Sequence, residues 1–149
     1  MKKPTITCTR RVQFCAGHRL LGHESKCSHL HGHNYVALFH ARATELDAVG
    51  RVVDFSVLKE RLGGWVEEHW DHGFVYNEAD RATAALLEQA EERYPLGQKR
   101  YEMPSNPTAE NMAEHLLRVV APAMMAGTGV EVYKVTLWET ENCYAEVEL

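Results

Sequence analysis

The sequence predicts an α+β fold, with helices packed on one face of an antiparallel sheet. Three features carry this. Apolar residues alternate near both ends of the chain, the period becomes helical between them, and turn signals separate the segments. In residues 5–16, "TITCTRRVQFCA", Ile6, Cys8, Val12 and Phe14 share one face, interrupted by Arg10. In residues 34–44, Tyr35, Ala37, Phe39 and Ala41 repeat the pattern. The polar "LGHESKCSHLHG" between them reads as an excursion joining two antiparallel strands.

Leu58, Leu62, Trp65, Val66 and His69 form a helical stripe over 55–69, despite Gly63 and Gly64. "RATAALLEQAEERY" (81–94) predicts a second helix with an acidic outer face, stopped by Pro95 and Gly97. A third opens in "SNPTAEN", with Asn106 as N-cap and Pro107 at the first helical position. Met112, Leu116, Val119 and Val120 form its buried stripe, and Pro122 kinks or ends it. In "VEVYKVTLWE", Tyr133, Val135, Leu137 and Glu139 share a face; "TENC" turns the chain, and Cys143, Ala145, Val147 and Leu149 follow. The sum is two strands, helices and two strands. The bare second face and edges of such a sheet favour oligomerisation.

The chain has 149 residues, 45% apolar and 25% charged, with a net charge of -5. That predicts one domain over 1–149. No basic block points to nucleic acid, and no long apolar run or apolar leader points to a membrane or to export. The expected location is the cytoplasm. The four cysteines, at 8, 15, 27 and 143, then read as thiols, with Cys8 and Cys143 as small core residues. Cys27 differs, because it lies outside any apolar run.

"KCSHLHGHNY" (26–35) is the chemical signal. His31 and His33 are two apart, so on an extended segment both imidazoles point one way, and Gly32 does not crowd them. His29 shares that face if the extension begins early. Pairing of the first two strands returns His18 beside them. Three neutral imidazoles with an open fourth position suit a catalytic zinc. A structural site that includes Cys27 is the competing reading. His40, His69 and His115 read as ordinary surface or packed histidines.

"FCAGHRL", "KCSHLHGHNY", "VVDFSVLK", "WDH", "NPTAEN" and "WET" occur in that order. Together they resemble the 6-pyruvoyltetrahydropterin and 6-carboxytetrahydropterin synthase superfamily. The resemblance implies a tunnelling fold: a four-stranded antiparallel sheet, two main helices on one face, and trimers stacked into a hexamer. It implies zinc on His18, His31 and His33, and Cys27 as a catalytic thiol. It also implies Asp71 and His72 as acid–base partners from a neighbouring subunit, and a pterin triphosphate substrate held by Glu139 and Thr108. The short C-x3-H-G-H spacing favours the carboxy branch, on the way to queuosine. Arg10, Arg11, Arg19 and Lys26 are candidate triphosphate cations. Two departures stand out: Tyr76 and Asn77 in "DHGFVYN", and a long 78–103 segment whose helix reads as edge cover or as a part that reshapes the substrate mouth.

Overall fold

A computed structural model describes residues 1–149. The four expected strands form. Strand β1 (Thr7–His18) pairs antiparallel with β2 (His31–Arg42), from Thr7 opposite Arg42 to His18 opposite His31. Between β2 and β6 (Cys143–Glu148) lies β5 (Glu131–Thr140), antiparallel to both.

The sheet is nevertheless six-stranded and mixed, not four-stranded and antiparallel. Strands β3 (Gly73–Asn77) and β4 (Arg100–Met103) extend it beyond β1, giving the order β4-β3-β1-β2-β5-β6. Both added pairings are parallel. Parallel neighbours need a crossover; the helix α3 (Arg81–Arg93) supplies the one between β3 and β4, and the chain from β2 to residue 72 supplies the one between β1 and β3. The 78–103 segment is therefore a helix and a strand, not a helix alone.

The core lies under one face. Tyr35, Ala37, Phe39 and Ala41 are wholly buried, as their alternation requires. Two helical runs cover them. The first is α1 (Phe55–Leu58), a π-helical turn (Lys59–Gly63) and α2 (Gly64–His69). The second is α4 (Ala109–His115), a π-helical turn (Leu116–Val120) and α5 (Ala121–Met124). Leu58, Leu62, Val66, Met112, Leu116 and Val120 meet the sheet in one cluster. Val119, expected in the buried stripe, is exposed.

Helix α3 does not join this layer. Its Ala84 and Leu87 pack with Phe74 and Tyr76 in a separate cluster, whereas Val75, between those two aromatics, belongs to the main core. By strand alternation α3 covers the opposite face of the added strands. The outer face of β1, β2 and β5 has no such cover. There Thr9, His40 and Thr136, with Glu146 of β6, are joined in a row of hydrogen bonds.

Three local expectations are corrected. Thr108, not Asn106, caps α4, its side chain accepting the Asn111 N–H. A bulge in β5 opposite His40 and Ala41 leaves Tyr133 without a partner on β2; its ring takes the Arg42 guanidinium on the outer side, and Val132 fills the core position. Cys143 is exposed in the β5–β6 turn region, although Cys8 packs at the core edge.

Candidate functional site

Where β1 ends and β2 begins, the two strands place three imidazoles on the core side. His18 lies opposite His31, and Ala16 lies opposite His33. One ring nitrogen from each of His18, His31 and His33 lies within 4.8 Å of the others. Gly32 makes this close pairing possible. A Cβ there would sit 2.9 Å from the Ala16 carbonyl oxygen, so any side chain would push the strands apart.

Second partners fix the ring orientations. The His18 Nδ1–H donates to the Pro107 carbonyl at 2.7 Å, and the His31 Nδ1–H donates to the His29 carbonyl at 2.7 Å. Each ring thus turns its Nε2 inward, and these two nitrogens are 3.0 Å apart. Burial, with added repulsion from His31 and His33, takes the His18 pKa down to about 4, against the Pro107 hydrogen bond. Burial also lowers the His33 pKa, although Glu139 opposes it. With both Nδ1–H groups donating outward, the Nε2 atoms of His18 and His31 point at each other, an arrangement that a cation between them would satisfy. Tetrahedral zinc needs nitrogens about 3.3 Å apart. The 3.0 Å pair would open slightly to hold such an ion; three imidazoles suit its chemistry, and outer hydrogen bonds to carbonyls are the usual support of such ligands.

Glu139 comes to the same place. Its Oε1 lies 3.6 Å from His18 Nε2 and 3.7 Å from His33 Nε2. A register shift between Trp138 and Thr140 leaves Glu139 without a partner on β6. Such a bulge re-aims a side chain. The carboxylate is half-buried and pairs with no lysine or arginine.

A second group of residues forms on the other side of the sheet. Asp71 and His72 connect α2 to β3. The His72 Nδ1–H faces Asp71 Oδ2 at 2.9 Å, and Asp71 Oδ1 accepts the Cys15 N–H at 3.0 Å. Burial pushes the Asp71 carboxyl up, but the Cys15 and His72 hydrogen bonds outweigh it and hold it below the ordinary range. His72 has φ of 60°, the left-handed region that non-glycine residues avoid. Its N–H donates 2.7 Å to the Cys15 carbonyl, which offsets that strain. The Cys15 sulfur belongs to this group. Cys15 and His18 are three apart on β1 and face opposite sides, so Asp71 and His72 lie across the sheet from their own chain's histidine cluster.

A profile of the 6-pyruvoyl tetrahydropterin synthase family matches residues 7–149. The chain belongs to that family. It is 40% identical over 142 residues to a 6-carboxy-5,6,7,8-tetrahydropterin synthase of Rickettsia felis, covering 95% of this chain and 99% of that one. The Rickettsia bellii enzyme of the same name is 41% identical over 142 residues, with the same coverage. A crystal structure of an uncharacterized protein from Wolinella succinogenes superposes with a TM-score of 0.82 at 23% identity, over 98% of this chain and 99% of that one. The Caenorhabditis elegans 6-pyruvoyl tetrahydropterin synthase gives 0.68 at 25%, over 100% and 99%. These neighbours place the fold among the tunnelling folds of the family.

The other expected site residues are more scattered. Cys27 sits half-buried in a 3-10 turn (Lys26–Ser28), held to the neighbouring loop by the Leu20 N–H on its carbonyl at 2.9 Å. Its sulfur is not among the atoms that converge with the histidines or with His72. Thr108 spends its hydroxyl on the α4 cap. Arg19 faces the buried Asp80 at 3.1 Å. His29 is exposed and gives only its carbonyl. Sequence reasoning missed Pro107, whose role is a carbonyl and leaves no side-chain signature. It also missed Asn106 as a clamp: its side chain bonds both the N–H and the carbonyl of Leu21 and takes a bond from Asn77. Asn77 was visible as a departure; its partner was not.

Proposed function

We propose that the chain, a single pterin synthase-like domain over 1–149, is a zinc-dependent carbon–carbon lyase. It converts 7,8-dihydroneopterin triphosphate and water to 6-carboxy-5,6,7,8-tetrahydropterin, acetaldehyde and triphosphate, on the route to queuosine and other 7-deazaguanines in the cytoplasm. The observation that carries this reading is the convergence of His18, His31 and His33 beside Glu139, a carboxylate that no lysine or arginine pairs. Relatives named as 6-carboxy-5,6,7,8-tetrahydropterin synthases, about 40% identical along nearly their whole length, support the carboxy branch.

Zinc bound by His18, His31 and His33 would supply Lewis acidity toward a hydroxyl of the substrate side chain. Pro107 and the His29 carbonyl keep the His18 and His31 lone pairs pointed inward. Glu139 accepts two N–H bonds from the guanidine-like edge of the pterin, a bidentate match that fixes the ring. Thr108, at the start of α4, borders the ring site. The Cys27 thiol moves a proton between side chain and ring. Asp71 holds His72 with its Nδ1–H bonded, leaves Nε2 free for proton transfer, and stabilises the imidazolium.

Because Asp71 and His72 lie across the sheet from their own histidines, they serve a neighbouring chain's site. We therefore propose a cyclic trimer, doubled to a hexamer. The test of the reaction is mass spectrometry of products formed from dihydroneopterin triphosphate. The carboxy product with equimolar acetaldehyde is expected. A pyruvoyl product without acetaldehyde would move the chain to the biopterin-type reaction; no product with zinc bound would leave a zinc-stabilised binding module.

A further inference from the structure

Cys15 has no part in the reaction proposed above, yet it is built into a group of three metal-binding side chains. Its sulfur, a carboxylate oxygen of Asp71 and an imidazole nitrogen of His72 all lie within 4.8 Å of one another. The three residues are tied together through the backbone of Cys15, whose N–H bonds Asp71 Oδ1 at 3.0 Å and whose carbonyl takes the His72 N–H at 2.7 Å. Little ordering is left to be done when a ligand arrives. A cleft lined by Gly17, Gly32 and Asn34 opens beside Cys15 and His72, so water can reach a fourth position.

The geometry points to a second metal site on the outer face, where Cys15, Asp71 and His72 take a soft divalent cation such as zinc or cadmium. Thiolate, imidazole and carboxylate are a zinc-type donor set, and the thiolate favours soft ions over magnesium or calcium. Binding releases the thiol proton to solvent. One thiolate and one carboxylate then balance the two positive charges, with neutral imidazole as the third ligand. The nearest cation, Lys99, bonds the Asp71 carbonyl at 2.7 Å and does not occupy the carboxylate. An ion held here takes the His72–Asp71 pair out of proton transfer, so excess metal inhibits turnover. That consequence rests on the proposed function; the binding itself does not.

The experiment titrates protein already carrying one equivalent of zinc with Cd2+ and follows thiolate-to-metal charge-transfer absorption. One further equivalent should bind with a rise in this ultraviolet band, since cadmium on three imidazoles alone gives none. Cys15→Ser should abolish the band, and Cys27→Ser should keep it. His72→Ala should weaken the Cd2+ affinity about tenfold or more. The His72 side chain is 79% exposed, so its loss does not threaten folding. Absence of the band, its survival in Cys15→Ser, its loss in Cys27→Ser, or unchanged affinity in His72→Ala would overturn the site. An intact band in a protein that makes no pterin product would instead overturn only the inhibition and the proposed reaction.

Discussion

Single residues divide here into those that make the metal cluster and those that aim it. His18 is 1% exposed and its ring is held by the Pro107 carbonyl, so its position is set by β1 and by the turn before α4 together. His31 depends only on the local His29 carbonyl. Either histidine changed to alanine should lose zinc and turnover together, because two imidazoles hold zinc poorly. Elemental analysis of His18→Ala and His31→Ala checks this; full zinc occupancy in either would break the ligand assignment. Cys27→Ala should instead keep its zinc and its circular dichroism while turnover falls by ~10²–10⁴-fold. Loss of zinc from that variant would make Cys27 a ligand. The histidines were legible because a two-residue period on a strand has a direct spatial meaning. Cys15 was not, since Asp71 is 56 residues away along the chain and His72 follows it.

The elements show why some of the fold could not be read. Strands β1, β2, β5 and β6 announce themselves by alternation over 12, 12, 10 and 6 residues. Strands β3 and β4 have 5 and 4 residues, too few for a period, and β3 carries core and α3-facing apolar side chains in succession. The cap of α4 was misplaced by two residues because Asn106 and Thr108 are both good caps, and only the tertiary clamp to Leu21 takes Asn106 away. The junction of α4 and the helix α2 layer holds a titrating group. His115 packs against Trp65, Trp70 and Tyr101, with 2.7 Å between the Tyr101 hydroxyl and its Nε2. Burial lowers its pKa below the ordinary 6.5. Above that value the ring is neutral in both folded and unfolded chains. As pH falls from 6.5 toward the lowered folded pKa, the unfolded chain takes the proton first, and stability declines. Urea midpoints of the wild type and His115→Gln, compared across that range, should show a steeper acid loss in the wild type. Parallel curves would remove His115 from the acid response.

The whole molecule is asymmetric about its sheet. One face carries the core and the histidine cluster; the other is covered only over β3 and β4, by α3. Strand β3 meets β1 only at Ala16–His18, so the rest of that β1 edge is unpaired, and β6 ends the sheet on the far side. Unpaired edges and a half-bare face are what a ring of subunits covers. No helix is long and apolar enough to cross a membrane. The same asymmetry separates Asp71 and His72 from the histidines of their own chain. The proposed working site accordingly forms between chains. The direct measurement is the activity of hybrids made by mixing inactive Cys27→Ala and inactive His72→Ala chains, with exchange verified by native mass spectrometry. In a random equal mixture about one quarter of the seams carry both intact groups, and a similar fraction of wild-type activity should return. No activity after verified exchange, or full wild-type activity from a monomer, would contradict it.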